Sequence, residues 1–224
     1  VSLCEDAGRP FKIVPGVWEI ISGDVTISQI RPVELEDLLG RETVVLDTEE
    51  MRSYLAGNTV LVTGAGGSIG SELARQVAHF EPERLLLMGR GENSVHEIDQ
   101  ALRFEFPSVD SRPVIGSVGD PVALETTFRE HRPSIIFHAA AHKHVHLMEY
   151  FQEEAIRNNV TGTRRLIEAA VKHGADRLVM LSTDKAVNPG GVMGASKRLA
   201  ELMLIEKAKA GCPTKLIAVR FGNV

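Results

Sequence analysis

The sequence predicts an α/β fold, a doubly wound parallel sheet with an N-terminal extension. Two observations lead there. From residue 58 onward, short apolar runs alternate with longer amphipathic stretches, the pattern of strands joined by crossover helices. The first of these runs, Val60-Leu61-Val62 led in by Thr59, ends in a glycine-rich turn that opens a helix. Right-handed crossovers then favour strand order 3-2-1-4-5-6, with a ligand crevice at the carboxyl ends of the strands. Composition sets the outer bounds. Of 224 residues, 43% are hydrophobic and 25% charged, enough to bury a core. A net charge of −5 argues against nucleic acid as the main partner. Cys4 and Cys212 stand far apart with no CxxC spacing, as expected of thiols in a reducing compartment. No apolar run reaches the length of about 18 residues needed to span a bilayer, and no secretory leader pattern is present.

Residues 1–57 form the extension. Strands are expected at 11–16 and 25–30, a helical turn or two at 33–39, and a short helix at 49–55 stopped by Gly57. Trp18 and several aliphatics argue that this stretch packs rather than hangs free. The main domain is expected over 58–224. Its strands fall at 59–63, 84–88, 113–117, 134–138, 177–181 and 215–219, with Pro113 as a first residue because proline cannot donate to a ladder. Its helices fall at 68–80, 92–106, 121–132, 153–173 and 192–210.

The turn after the first strand reads Thr63-Gly64-Ala65-Gly66-Gly67-Ser68-Ile69-Gly70. Gly64, Gly67 and Gly70 make a G-x-x-G-x-x-G pattern between strand and helix. A tight turn needs a residue free of a Cβ, and a pyrophosphate approaches the backbone only where no side chain intervenes. The helix beyond offers unpaired N–H groups and a positive dipole end. This is a Rossmann-type cradle, with Thr63, Gly64, Gly66, Gly67, Ser68, Ile69 and Gly70 as its candidate residues.

The second strand ends in Gly89-Arg90-Gly91-Glu92, where an NAD enzyme usually carries an acid on the ribose. Arg90 suits a 2′-phosphate, so NADP is favoured, while Glu92 leaves NAD open. Asp120 after the third strand suits either the adenine amino group or a helix N-cap before Pro121. Ala139, Ala140 and Ala141 end the fourth strand with small side chains that let a cofactor approach. In His142-Lys143-His144-Val145-His146 the alternating histidines lack a Cys or carboxylate cluster, so no metal is assigned. Lys143 is a candidate cation for a phosphate, the nicotinamide end or a substrate. The fifth strand ends in Ser182-Thr183-Asp184-Lys185, and the next helix opens with Met193-Gly194-Ala195-Ser196-Lys197. Thr183 can bond a substrate oxygen, Asp184 and Lys185 can donate or accept a proton, and Lys197 can bond the nicotinamide ribose and lower a neighbouring pKa.

TGAGGSIG, HAAAHKHV, NNVTGT (158–163), STDKAVNP and MGASK together resemble the extended short-chain dehydrogenase/reductase superfamily. More narrowly, they resemble the bacterial capsule and O-antigen UDP-N-acetylglucosamine 4,6-dehydratases. The resemblance implies a chemistry: hydride leaves sugar C4 for NADP or NAD, the C5 proton is removed, the C6 hydroxyl departs as water, and the hydride returns to C6. It implies Asp184 and Lys185 for the C5 and C6 protons, Thr183 for the C4 oxygen, Lys197 for the ribose, and Asn159 for ordering the cofactor site. Met193 stands where most of the superfamily has a tyrosine base. A thioether has no useful proton chemistry, so Lys185, or Lys197 through a water, are the candidates for that role. The long membrane-anchored members are similar in carrying Met there, and residues 14–42 resemble the segment joining their upstream region to the catalytic domain. That implies a chain truncated from a protein held at the cytoplasmic side of the inner membrane. Residues 220–224 resemble the stretch where the substrate lobe begins, with Asn223 at the substrate, so little or no C-terminal substrate lobe is expected. The resemblance also implies a homo-oligomer built on helices 153–173 and 192–210. Two other readings stand beside the dehydratase: a nucleotide-sugar epimerase, and a non-catalytic NADP-binding regulatory domain.

Overall fold

The computed structural model describes residues 12–13, 31–32 and 48–222. The chain divides into two compact units, Val1–Asp47 and Thr48–Val224. In the first, Lys12–Ile13 pairs antiparallel with Arg31–Pro32. The rest of the expected strand at 11–16, all of that at 25–30 and the helical turn at 33–39 lie outside the described residues, as does Asn223, and Arg31–Pro32 falls beyond the expected strands. The second unit begins at Thr48, ahead of the expected boundary at residue 58, because helix α1 (Thr48–Leu55) contributes Met51 and Leu55 to the core.

Six parallel strands follow: β1 (Thr59–Thr63), β2 (Arg84–Gly89), β3 (Ser111–Ile115), β4 (Ile135–His138), β5 (Arg177–Thr183) and β6 (Lys215–Phe221). Their order across the sheet is β3-β2-β1-β4-β5-β6, the expected 3-2-1-4-5-6. Helices α2 (Ser68–Ala78), α3 (Glu92–Glu105), α4 (Pro121–His131), α5 (Val145–Tyr150), α6 (Gln152–Ala155), α7 (Thr163–Lys172) and α8 (Val192–Lys209) connect them.

The central strands feed two cores. Leu61, Leu86 and Met88 join Phe128, Leu166 and Leu204 on one face. Val60, Val62, Leu85 and Leu87 join Val77, Ile98 and Leu102 on the other. Alternation along strands buried on both sides explains why β1 and β2 read as unbroken apolar runs.

Three local departures from expectation have physical reasons. β3 starts two residues early, so Pro113 lies inside it. The bonds Leu85 N to Asp110 O and Gly116 N to Gly89 O place the even-numbered residues of β3 on the ladder. Pro113 therefore turns its missing N–H away from the sheet, which an edge strand permits. β5 runs to Thr183 because β6 continues alongside, Ser182 opposite Arg220 and Thr183 opposite Phe221. The single helix expected at 153–173 is instead α6, a π-helical stretch Ile156–Gly162, and α7. The wider turn buries two successive polar residues, Asn158 and Asn159.

Candidate active site

Gly64 takes φ +72, and a Cβ there would sit 2.7 Å from both N and Cα of Ala140. Only glycine allows this turn to lie against the end of β4. Its N–H reaches Met88 O at 2.7 Å, which fixes the loop to β2. A Cβ on Gly70 would run into Gly64 O, so the third glycine lets α2 close on the turn. Gly67 is the N-cap of α2 with no side-chain cap, and a Cβ there would meet only Gly64 O, at 3.2 Å. The first N–H groups of α2 thus point outward without an intrahelical partner.

Two cavities open at the carboxyl ends of the strands and share Ala139 and Ala141. The smaller, about 170 Å³, lies between Gly64, Gly67, Gly89, Arg90, Ser117 and Val118. The larger, about 410 Å³, is walled by Ser68 and Ile69 of the loop, 141–144 after β4, Thr183 and Lys185 at the end of β5, Met193 and Lys197 of α8, and Phe221 and Gly222. Among the expected cofactor residues, Gly64, Gly67, Ser68, Ile69, Arg90, Ala139, Ala140, Ala141, Lys143 and Lys197 face one or both cavities. Thr63, Gly66, Gly70, Asp120 and Asn159 do not line them.

Each of those five has another task. Gly66 packs against Ser94. Asp120 caps α4, its Oδ1 accepting from Val122 N at 2.8 Å and Ala123 N at 3.3 Å. Asn159 is 1% exposed. Its amide accepts from His142 N (2.8 Å) and donates to His142 O and Ser196 Oγ (both 3.0 Å), tying the loop after β4 to α8. Thr63 Oγ1 meets His138 Nδ1 at 2.7 Å, and His138 Nε2 meets Thr163 Oγ1 at 2.9 Å. Thr163 spends its hydroxyl proton on Asn159 O, so Nε2 carries the imidazole proton and Nδ1 accepts from Thr63. Burial, reinforced by the charge of Lys197, holds His138 down to about 3, so it stays neutral.

Around the larger cavity the expected catalytic residues come together. Thr183 Oγ1 donates to Asp184 Oδ1 at 2.9 Å, and Lys185 Nζ reaches the same oxygen at 3.2 Å. The Thr183 hydroxyl first, and Lys185 with it, holds the Asp184 carboxyl below its ordinary range. Asp184 itself stands at the rim. Lys197 is 4% exposed, and burial brings it down to about 8 while the charge of Glu201 acts the other way. Met193 is 5% exposed and packs with Met148 and Ala155, so an apolar contact occupies the tyrosine position. Lys143 Nζ reaches Ser68 Oγ at 3.1 Å, and Arg90 Nη2 lies 3.4 Å from His142 Nε2. No group of three His, Cys, Asp or Glu among the described residues is poised around a metal position. No helix among them is long and apolar enough to cross a membrane.

Several residues at this site escaped sequence reading. Glu149 Oε1 accepts from Val192 N at 2.7 Å, capping α8 from α5. Behind Lys197, the buried Ser182 and Glu201 bond to one another, and the exposed Arg220 closes over Glu201 from β6. The available signal was an acid on α8 four residues beyond Lys197, among apolar neighbours.

A doubly wound sheet with a glycine turn after β1, hydroxyl and charged groups after β5, and a buried lysine on the next helix defines an α/β protein of the short-chain dehydrogenase type. The chain belongs to the polysaccharide biosynthesis protein family, whose model matches residues 60–224. It is 47% identical over 222 residues to the probable polysaccharide biosynthesis protein EpsC of Bacillus subtilis, which covers 99% of this chain and 37% of that protein. It is 30% identical over 171 residues to the inverting UDP-N-acetylglucosamine 4,6-dehydratase of Campylobacter jejuni strain 81-176, covering 75% of this chain and 49% of that one. The solved UDP-glucose 4-epimerase of Brucella ovis in complex with NAD shares the fold, with a TM-score of 0.63 at 23% identity over 74% of this chain and 52% of that one. The chain thus spans between about a third and a half of the length of these three proteins.

Proposed function

We propose that this chain is the dinucleotide-binding and catalytic part of a nucleotide-sugar 4,6-dehydratase with a UDP-N-acetylglucosamine-type substrate, acting in bacterial surface polysaccharide biosynthesis. The observation that carries the reading is the Thr183, Asp184 and Lys185 cluster at the rim of the cavity in which Lys197 is buried. Elimination across C5 and C6 needs a proton acceptor and a proton donor side by side. Asp184 and Lys185, bonded at 3.2 Å, supply that pair, one accepting the C5 proton and the other donating to the departing C6 hydroxyl. The likeness to the Campylobacter dehydratase supports the reaction, and the family supports the pathway class.

The crevice fits a nicotinamide dinucleotide: the head of α2 is open over Gly67, and three successive alanines leave room at the end of β4. Such a group, when bound, accepts hydride from C4 and returns it at C6. The chain's own residues do the rest. The glycine turn and the head of α2 hold the pyrophosphate, Lys197 the ribose, and Thr183 the C4 oxygen, whose proton leaves to Lys185 or, through a water, to Lys197 as hydride departs. Arg90 beside Gly89 favours a 2′-phosphate, hence NADP over NAD. In this proposal residues 1–47 link the domain to a membrane-attached region on its cytoplasmic side.

Met193 favours a second reading, a dinucleotide-binding domain without turnover, since the packed thioether cannot act as base. The two part on one experiment. The full-length protein is incubated with UDP-N-acetylglucosamine and NADP, and products are read by mass spectrometry for loss of water and by proton NMR for the configuration at C4. A 4-keto sugar lacking one water is expected. Bound dinucleotide with no such product would sink the dehydratase reading, and a C4 epimer without loss of water would replace it with an epimerase. Lys185→Ala should abolish the keto product while dinucleotide affinity stays within about twofold, a change of under 1 kcal/mol; unchanged turnover would remove Lys185 from the mechanism.

A further inference from the structure

Glu201 lies one helical turn beyond Lys197 and is 2% exposed. A carboxylate so deeply buried is costly unless it is fully bonded. Here it is. Oε1 accepts from Ser182 Oγ at 2.7 Å and from Arg220 Nε at 2.8 Å, while Oε2 accepts from Arg220 Nη2 at 2.7 Å and from Arg198 Nη1 at 3.0 Å. Arg220 makes a two-point fork on the carboxylate, the strongest form of such a pair. The bonds join three elements whose ends wall the larger cavity. Ser182 belongs to β5 and itself lines the cavity, Arg220 precedes Phe221 on β6, and Glu201 shares α8 with Lys197. Positions four apart on a helix face the same way, so the carboxylate and the buried ammonium are neighbours.

We propose that Glu201 is a positioning residue of this site: it locks the carboxyl ends of β5 and β6 to α8 and balances the buried charge of Lys197. The proposal rests on the reading in which Lys197 works in that cavity. The charged groups facing Lys197 divide by sign. Lys143 and Lys185 share its cavity, Asp184 stands at the rim, Arg198 and Arg220 lie behind, and His138 beneath it is neutral. Glu201 is the carboxylate that raises the proton affinity of Lys197 against its burial. Without it, Arg198 and Arg220 would lose the carboxylate they share, and Lys197 the charge that offsets its burial.

The test follows the Lys197 side chain by NMR of lysine-labelled protein, with its signal identified by its loss in Lys197→Arg. In Glu201→Gln the Lys197 titration midpoint should fall by about one pH unit. In Arg220→Gln, which removes a competing cation and leaves Glu201 less neutralised, it should rise. Shifts of opposite sign are the mark of a charge-balancing role; loosened packing alone would move both midpoints the same way or neither. Equal directions, or no movement in variants with wild-type circular dichroism, would overturn the proposal. Should Glu201→Gln fail to fold, Arg220→Gln decides alone: a rise supports the role and a fixed midpoint removes it. NADP and NAD binding to the wild-type chain is measured in parallel by calorimetry. If neither binds, the functional reading falls, and the Lys197 titration still decides the role of Glu201.

Discussion

Acid should destabilise this domain through His138 well before that histidine is protonated in the folded state. The imidazole is 1% exposed, with both nitrogens committed to Thr63 and Thr163, and its folded value is about 3 against an ordinary 6.5. Between those two values the unfolded chain binds a proton that the folded chain does not. Stability therefore rises with pH across the window and is lost as pH falls through it, at about 1.4 kcal/mol per pH unit. Over the whole window the loss comes to about 5 kcal/mol, comparable with the entire stability of many domains. Urea denaturation followed by circular dichroism between pH 7.5 and 5 measures the slope. His138→Gln keeps a donor and an acceptor but cannot titrate. It should be less stable at pH 7.5, and its stability should fall less steeply below pH 6.5, by about 1.4 kcal/mol per pH unit at most. Identical slopes in the two proteins, or a His138 resonance that titrates near 6.5 in the folded state, would refute the reasoning.

Gly64→Ala places a side chain at positive φ and against the Ala140 backbone, so it should cost about 1–3 kcal/mol in thermal unfolding and lose dinucleotide binding by calorimetry. Asn159→Ala strips the His142 backbone of both its partners. It should destabilise the protein by about 1–3 kcal/mol and weaken dinucleotide binding, although Asn159 lines neither cavity. Arg90→Ala should narrow the gap between NADP and NAD dissociation constants; a preference that survives the substitution would contradict the phosphate contact.

The fold was legible where burial on both faces leaves unbroken apolar runs, as in Val60-Leu61-Val62 and Leu85-Leu86-Leu87. The glycine turn was legible because its spacing follows from backbone geometry that no other residue tolerates. Legibility failed where a residue's role depends on what lies opposite. Pro113 reads as a strand start until the sheet edge shows its nitrogen facing outward. Asp120 reads equally as ligand or cap, and only its bonds to Val122 and Ala123 bring out the cap. The π-helical stretch leaves no mark on periodicity, since one wide turn shifts the phase once. His138 read only as the last residue of a strand, and Glu201 as one more polar residue on a long helix. Their roles come from partners 25 and 19 residues away.

The bonds that Asn159 and Glu149 make have a consequence for ligand binding. Asn159 joins the backbone of His142 to Ser196, and Glu149 joins α5 to the first N–H of α8. The loop that carries Lys143 and the helix that carries Lys197 are therefore one bracket spanning the crevice, not two jaws that must find each other. A ligand entering between them meets walls already set in place, so little of its binding energy goes into ordering the protein. The same stiffness makes the bracket selective: a ligand too broad for it must break buried hydrogen bonds to enter.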